Sequence, residues 1–230
     1  MWGLMSETAS GGPVADAYAM AVPRTFVRVT TPGEIVTPPG SHLEAAQWAQ
    51  FEQMRARLSE SSTQRGMDGL VLDAFVTAGR IPGLDGTASI LVTLVPIAPG
   101  AGARADLDRL LLARVARGAE ATVVGHEAAV AWNGDRDGTR AEVADDRVLR
   151  RRTVLARVAG SDCLMASFTL TVVSGRAAAG LGLASQPRPG RPEEESIEVA
   201  DALVELFDAM MTTVRWLDDQ GRVITDRPTT

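Results

Sequence analysis

The chain has 230 residues, 45% of them hydrophobic and 23% charged, which is the balance of an ordinary globular protein. All 23 basic residues are arginine, and the net charge of −6 argues against binding to nucleic acid. The single cysteine, Cys163, excludes an internal disulfide. We see neither a secretory signal nor an apolar run of about 18 residues, so we expect a cytoplasmic protein without a membrane span. We expect the chain to start at either Met1 or Met5.

Residues 1–20 are small and polar, and we predict a flexible N-terminal tail. "RTFVRV" then predicts a short strand, followed by a Pro/Gly loop. From Ser41 to Glu60 the apolar spacing predicts a helix, since Ser41 and Glu44 have capping-box spacing. "GLVLDAFVT" and "TASILVTLVP" predict two strands, and Asp85–Gly86 between them is a turn signal.

A second helix is predicted in "RADLDRLLLARVARG", with an apolar stripe at Leu107, Leu110, Leu111 and Val115. Short strands follow around "ATVV" and "AAVAW", and "RVLRRRTVLARV" and "CLMASFTLTVV" predict a longer hairpin closed by "AGSD". Residues 178–191 are rich in Gly, Pro and Ala, and we predict that they are flexible. After Pro192 a third helix is predicted. Its apolar face would comprise Ile197, Ala200, Val204, Phe207 and Met211.

The order of elements, β-α-β-β-α-β-β-β-β-α, predicts the fold class. Long neighbouring strands joined by tight turns favour an antiparallel sheet, and the helices would pack on its faces. We therefore predict an α+β protein, an antiparallel β-sheet sandwiched by helices. A single domain would span residues 21–217, between the tail of residues 1–20 and a C-terminal tail of residues 218–230.

His126 and Glu127 resemble the start of a zinc-protease motif. That motif requires a second histidine four residues after the first, so that both lie on one face of a helix. Val130 occupies this position, and the flanking residues have strand-like character. We predict that His126 lies at a hairpin tip and binds no metal.

Other catalytic patterns are weak. His42 follows the predicted helix cap, and Cys163 lies in an apolar strand where a buried, inert thiol is expected. Gly100, Gly102 and Ala105 fit a dinucleotide-binding pattern, but later hairpins argue against repeating β-α units. The sequence contains neither a nucleophile elbow nor the lysine of a phosphate-binding loop. We expect no catalytic residue, cofactor or metal.

Arg150, Arg151 and Arg152 form a basic stretch in an acidic protein. Strand alternation places Arg150 and Arg152 on one sheet face and Arg151 on the other. Two interpretations stay open. The three arginines either belong to a charged, solubilising edge strand or bind an acidic partner.

Several of these segments together resemble the PsbP-like fold. They run from "TASILVTLVP" through "ADLDRLLLARVARGAEATVVGHEAAVAW", "RRRTVLARV" and "DCLMASFTLTV" to "VADALVELFDAMMTTVRW", within residues 20–217. The chain is similar to actinobacterial proteins of the LpqN type and to bacterial secretion-adaptor proteins of related fold. The resemblance implies a sheet between helices and a binding or accessory role. Unlike the lipoproteins, this sequence shows neither a signal peptide nor a lipid-attachment cysteine.

Three functions remain open from the sequence. The first is a non-enzymatic protein-interaction module, an adaptor or chaperone linked to secretion. The second is an enzyme or small-ligand binder that uses the cleft between sheet and helix. The third is a structural component of a larger assembly. The partner protein and the oligomeric state are not predicted.

Overall fold

The computed structural model describes residues 14–29, 70–78, 81–84, 86–97, 103–134, 148–174 and 193–225. Within these ranges lie nine strands and two helices. The strands are β1 (Ala17–Ala19), β2 (Phe26–Val29), β3 (Leu70–Thr77), β4 (Gly86–Pro96), β5 (Glu120–Val124), β6 (Glu127–Asn133), β7 (Val148–Arg157), β8 (Leu164–Ser174) and β9 (Arg215–Leu217). The helices are α1 (Ala103–Val115) and α2 (Glu193–Thr212).

Seven strands form one antiparallel sheet in the order β2-β3-β4-β8-β7-β6-β5. The central strands β4 and β8 pair without interruption, from Gly86 opposite Ser174 to Pro96 opposite Leu164. The pairs β3–β4, β5–β6 and β7–β8 are antiparallel neighbours in sequence, as the turn signals predicted. The predicted α+β class with an antiparallel sheet is confirmed.

Helix α2 packs across one face of the sheet and closes the larger core. Its buried residues include Leu203 and Met210, which the predicted stripe omitted. The stripe is confirmed at Ala200, Phe207 and Met211, whereas Ile197 and Val204 are only half-buried. The sheet residues opposite α2 are alternate members of the central strands, among them Ile90, Val92, Val154, Phe168 and Leu170. This period of two is what a sheet with one face against a helix requires.

Helix α1 packs on the opposite face and covers a smaller core. Leu107 and Leu111 are buried there with Val130 and Leu155. The neighbours of Val130 and Leu155 along each strand belong to the α2 core, so the two helices lie on opposite faces. The prediction that Val115 belongs to the buried stripe is wrong. Val115 is 38% exposed, because it ends α1 where the chain turns toward β5.

Strands β1 and β9 pair with each other beside the main sheet. Tyr18 of β1 contacts Phe168 edge-on, with 5.7 Å between ring centroids, and its hydroxyl donates to Asp73 at 2.5 Å. Asp73 is buried where β3 shifts register, and it also accepts from Arg28. Burial, followed by the hydrogen bond to Asp73, raises the pKa of Tyr18 above its usual range.

Described residues of both predicted tails take part in backbone pairing or hydrogen bonds. The N-terminal tail was placed at residues 1–20, but β1 begins at Ala17. The C-terminal tail was placed at residues 218–230, but Val223 bridges back to Leu217, and Asp218 accepts hydrogen bonds from the N–H groups of Gln220 and Arg222. Residues 17–19 and 215–223 therefore belong to the folded unit.

Several predictions lie wholly or partly outside the described residues, among them the tail at residues 1–13, Asp85 of the turn signal, and Gly100 and Gly102 of the dinucleotide pattern. The helix from Ser41 to Glu60, which includes His42, and the flexible stretch 178–191 also lie outside them. In the described part of the chain, no helix is long and apolar enough to cross a membrane.

Candidate functional site

Strand β5 is the last strand of the sheet on one side. It pairs with β6 in an unbroken register from Val124 opposite Glu127 to Glu120 opposite Ala131. Among the described residues, no strand pairs with its other side. The first four residues of β5 are exposed, and Val123 is 60% exposed. The backbone of β5 thus forms an accessible edge of the sheet.

The turn between β5 and β6 determines which backbone groups point outward. Gly125 and His126 form a two-residue turn and both have positive φ, which is typical of a type I′ hairpin. In such a hairpin the two residues on either side of the turn, here Val124 and Glu127, form a hydrogen-bonded pair. Hydrogen-bonded and non-hydrogen-bonded pairs then alternate along the two strands. Ala121 and Val123 therefore fall in pairs that do not bond to β6, and their N–H and C=O groups point outward.

The two edges of the sheet differ in how they are protected. Strand β2, at the other edge, has four residues and is preceded by Pro23, and Arg28 within it is held by buried Asp73. Prolines and charged side chains are devices that keep other chains away from sheet edges. The sequence of β5, "EATVV", has no proline, no basic residue and no bulge, and Glu120 at its start is its one charge. It is thus the less protected edge.

A cleft of about 270 Å³ borders β5 on the α2 side of the sheet. Strands β5, β6 and β7 form its floor, and the C-terminal end of α2 forms its wall. Its polar and apolar lining includes Glu120, Thr122, Arg152, Asp208, Met211 and Thr212. An extended segment paired with β5 would place alternate side chains over this cleft.

Arg152 lies at the floor of the cleft and is almost completely buried, with 8% of its side chain exposed. Its Nη2 donates to Glu120 Oε2 at 2.7 Å, its Nε to Asp208 Oδ1 at 3.1 Å, and its Nη1 to Asn133 Oδ1 at 3.3 Å. Burial acts to lower the pKa of Arg152, but the hydrogen bonds to Glu120 and Asp208 outweigh it and raise the pKa. The guanidinium stays charged and ties β5, β7 and α2 together.

The structure places the three predicted partner-binding arginines in different settings. Arg150 donates to Asp201 of α2, and Arg152 binds Asp208 two turns further along the same helix. Arg151 is exposed and follows the alternation onto the other face. The interpretation of an edge strand is wrong, because β7 lies inside the sheet between β6 and β8. Whether any of the three contacts a partner stays a prediction.

The predicted hairpin tip at His126 is confirmed. His126 is exposed and has φ of 71°, and Trp216 donates from Nε1 to the carbonyl of Val124 directly before the turn. A Cβ added to Gly125 would lie 2.7 Å from the Trp216 ring, so the turn is tightly packed. In the described part of the chain, no group of three acidic, histidine or cysteine side chains could hold a metal ion.

The dinucleotide interpretation is not supported by the sheet. The strands on either side of α1, β4 and β5, belong to antiparallel pairs, whereas a dinucleotide site needs parallel β-α-β units. The prediction that Cys163 is buried within a strand is wrong. Cys163 is half-buried in the turn before β8, because the strand begins only at Leu164, and its N–H donates to Ser161 Oγ at 3.3 Å.

Sequence reasoning did not find the cleft. Glu120 and Asp208 are 88 positions apart, and each looks like an ordinary surface carboxylate on its own element. The signal that the sequence did contain was Arg152. It is a charged residue in an apolar strand, and strand alternation directs its side chain toward the core. A buried cation requires carboxylate partners from neighbouring elements.

Comparison with protein-family models, curated proteins and solved structures gave no match for this chain. The resemblance to the PsbP-like fold therefore stays a prediction, and the fold and geometry carry the functional argument.

Proposed function

We propose that the chain is a non-enzymatic protein-interaction module, an adaptor or chaperone, that binds an extended segment of a partner protein along β5. The observation that carries the proposal is the open edge of β5, where Ala121 and Val123 present outward N–H and C=O groups. Binding by strand addition uses such an edge for affinity and neighbouring pockets for specificity. A role in secretion rests on the resemblance to secretion adaptors and is part of the proposal.

The expected affinity is modest. The outward groups of Ala121 and Val123 can form up to four backbone hydrogen bonds, each contributing about 0.5–1.5 kcal/mol net. Ordering of the bound segment offsets part of this gain. A weak and reversible complex follows, which suits an adaptor or chaperone that must release its partner.

The cleft supports a protein partner better than a small ligand. Pockets that enclose drug-sized ligands have volumes of about 300–1,000 Å³. The cleft, at about 270 Å³, is slightly smaller, and its buried cation already has three hydrogen-bond partners. It has room for one or two side chains of a segment whose backbone lies on β5.

A proline substitution tests the proposal. Val123→Pro removes one outward N–H, and an edge strand tolerates proline where its N–H faces solvent. Val123→Thr is the matched control, since it retains the N–H and the β-branched shape. Random linear peptides displayed on phage would be selected on the wild-type chain and then measured on both variants.

We expect the selected peptides to bind Val123→Thr and to lose binding to Val123→Pro, with both variants melting like the wild type. Equal binding to the wild type and to a folded Val123→Pro variant would refute strand addition at β5.

A further inference from the structure

Charge at the mouth of the cleft is unbalanced. The bonds of Arg152 go to Oε2 of Glu120 and Oδ1 of Asp208, so two carboxylates surround one guanidinium. The side chains of Glu120 and Asp208 are 69% and 42% exposed, whereas Arg152 lies behind them. A ligand arriving from solvent meets the carboxylates first, and the mouth of the cleft carries net negative charge.

The two other described arginines that bind α2 or its C-terminus do not cancel this charge, because both are engaged elsewhere. Arg215 follows the helix and donates to the carbonyl oxygens of Thr212 and Val214, which compensates the helix C-terminus itself. Arg150 binds Asp201, two turns before Asp208. The last turn of α2 contains no basic residue. The excess negative charge therefore remains on Glu120 and Asp208.

An added strand would present its side chains to the two faces in turn. Residues directly opposite each other in paired strands share a face. A partner residue opposite Thr122 would thus lie on the α2 side, beside Glu120 and Asp208. Residues opposite Ala121 and Val123 would lie on the α1 side, where Val123 offers an exposed apolar side chain.

We infer that the partner segment is an extended strand in which basic side chains alternate with apolar ones, with a basic side chain over the acidic mouth of the cleft. This inference rests on the proposed function and specifies its partner. A second copy of the chain does not meet the requirement, because β5 would bring no cation to the mouth of the cleft and the chain carries a net charge of −6. Electrostatic complementarity of this kind contributes chiefly specificity and association rate.

Three synthetic peptides test the charge preference on the full chain. Each is short, capped at both ends and alternates valine with one other residue, which is arginine, glutamine or glutamate. Their affinities would be measured by fluorescence anisotropy. The arginine peptide should bind about tenfold more tightly than the glutamine peptide, with the glutamate peptide weakest. Raising the salt from about 0.05 to 0.5 M should reduce this advantage, since screening weakens charge interactions.

Two variants test whether the preference for the arginine peptide arises at the mouth of the cleft. Asp208→Asn retains an acceptor for Arg152 but removes one charge at the mouth, and it should lose most of the preference for the arginine peptide. Glu205→Gln removes the same charge from an exposed position of α2 outside the cleft lining and should retain the preference. Equal losses in the two variants would show a general charge effect and overturn the inference.

Val123→Pro separates failure of the inference from failure of the proposed function. If it abolishes binding while all three peptides bind the wild type equally, strand addition holds and the charge preference is wrong. If it binds the peptides as the wild type does, or if the wild type binds none of them, both proposals fail. Dimerisation of the chain that Val123→Pro abolishes would assign the edge to a second copy and overturn the inference.

Discussion

Truncation of Phe207 tests whether α2 closes the core. Phe207 is 1% exposed and lies in the core shared by α2 and the sheet. Changing a fully buried Phe to Ala costs about 3–5 kcal/mol, from lost transfer energy and from the cavity that remains. In a chain of this size each kcal/mol lowers the melting temperature by about 2–4 °C, so Phe207→Ala should lower it by about 6–20 °C.

Glu205→Ala is the control for Phe207→Ala, since Glu205 is exposed on the same helix and its loss should change stability by less than about 0.5 kcal/mol. Circular dichroism during heating and urea unfolding would measure both variants. If Phe207→Ala shifted the midpoints no more than Glu205→Ala, α2 would not close the core. Deletion of residues 192–230 provides a second check, because a truncated chain that stays monomeric and unfolds cooperatively would contradict the same reasoning.

Three further predictions concern buried groups and the turn. Because the pKa of Tyr18 is raised in the folded state, its contribution to stability is complete below about pH 10 and declines as the pH rises through the folded pKa. Tyr18 is the only tyrosine, so its tyrosinate absorbance should appear only with alkaline unfolding, and ionisation near pH 10 in the folded chain would contradict this. Gly125→Ala should lower the free energy of unfolding by more than about 1 kcal/mol, through its positive φ and contact with Trp216, and a neutral result in urea would count against the turn. Arg157→Met should change the free energy of unfolding by less than about 1 kcal/mol. It removes the ion pair with Asp108, whose side chain is 52% exposed, but it also removes a buried Nε that has no partner among the described residues. A urea-measured loss above about 2 kcal/mol would refute this.

The sequence was sufficient to predict most strands and the class of the fold, because their signals are local. Period-two alternation and short Gly-containing turns fix hairpins such as β5–β6 and β7–β8. Strands β1 and β9 were not predicted, because three residues are too few to show an alternation of apolar and polar side chains. Their pairing depends on contacts between opposite ends of the chain.

The candidate site could not be predicted for a different reason. Whether β5 lies at an edge depends on strand order, which is set by how hairpins assemble and not by the residues of β5. The position of β7 could not be predicted for the same reason. Its three arginines indicated an edge strand, but the strand order places β7 between β6 and β8. Asp201 and Asp208 lie seven residues, and thus two turns, apart on α2. Their carboxylates bind Arg150 and Arg152, so these arginines can lie under the helix on a strand inside the sheet.

Amide hydrogen exchange at β5, followed by NMR, tests the central claim most directly. In the chain alone, the outward amides of Ala121 and Val123 should exchange rapidly, whereas the Thr122 amide, which faces β6, should exchange slowly. A bound peptide should slow Ala121 and Val123 and leave Thr122 nearly unchanged. Slow exchange at all three residues in the chain alone would mean that the edge is already covered, and unchanged exchange at Ala121 and Val123 with a peptide bound would place the peptide elsewhere.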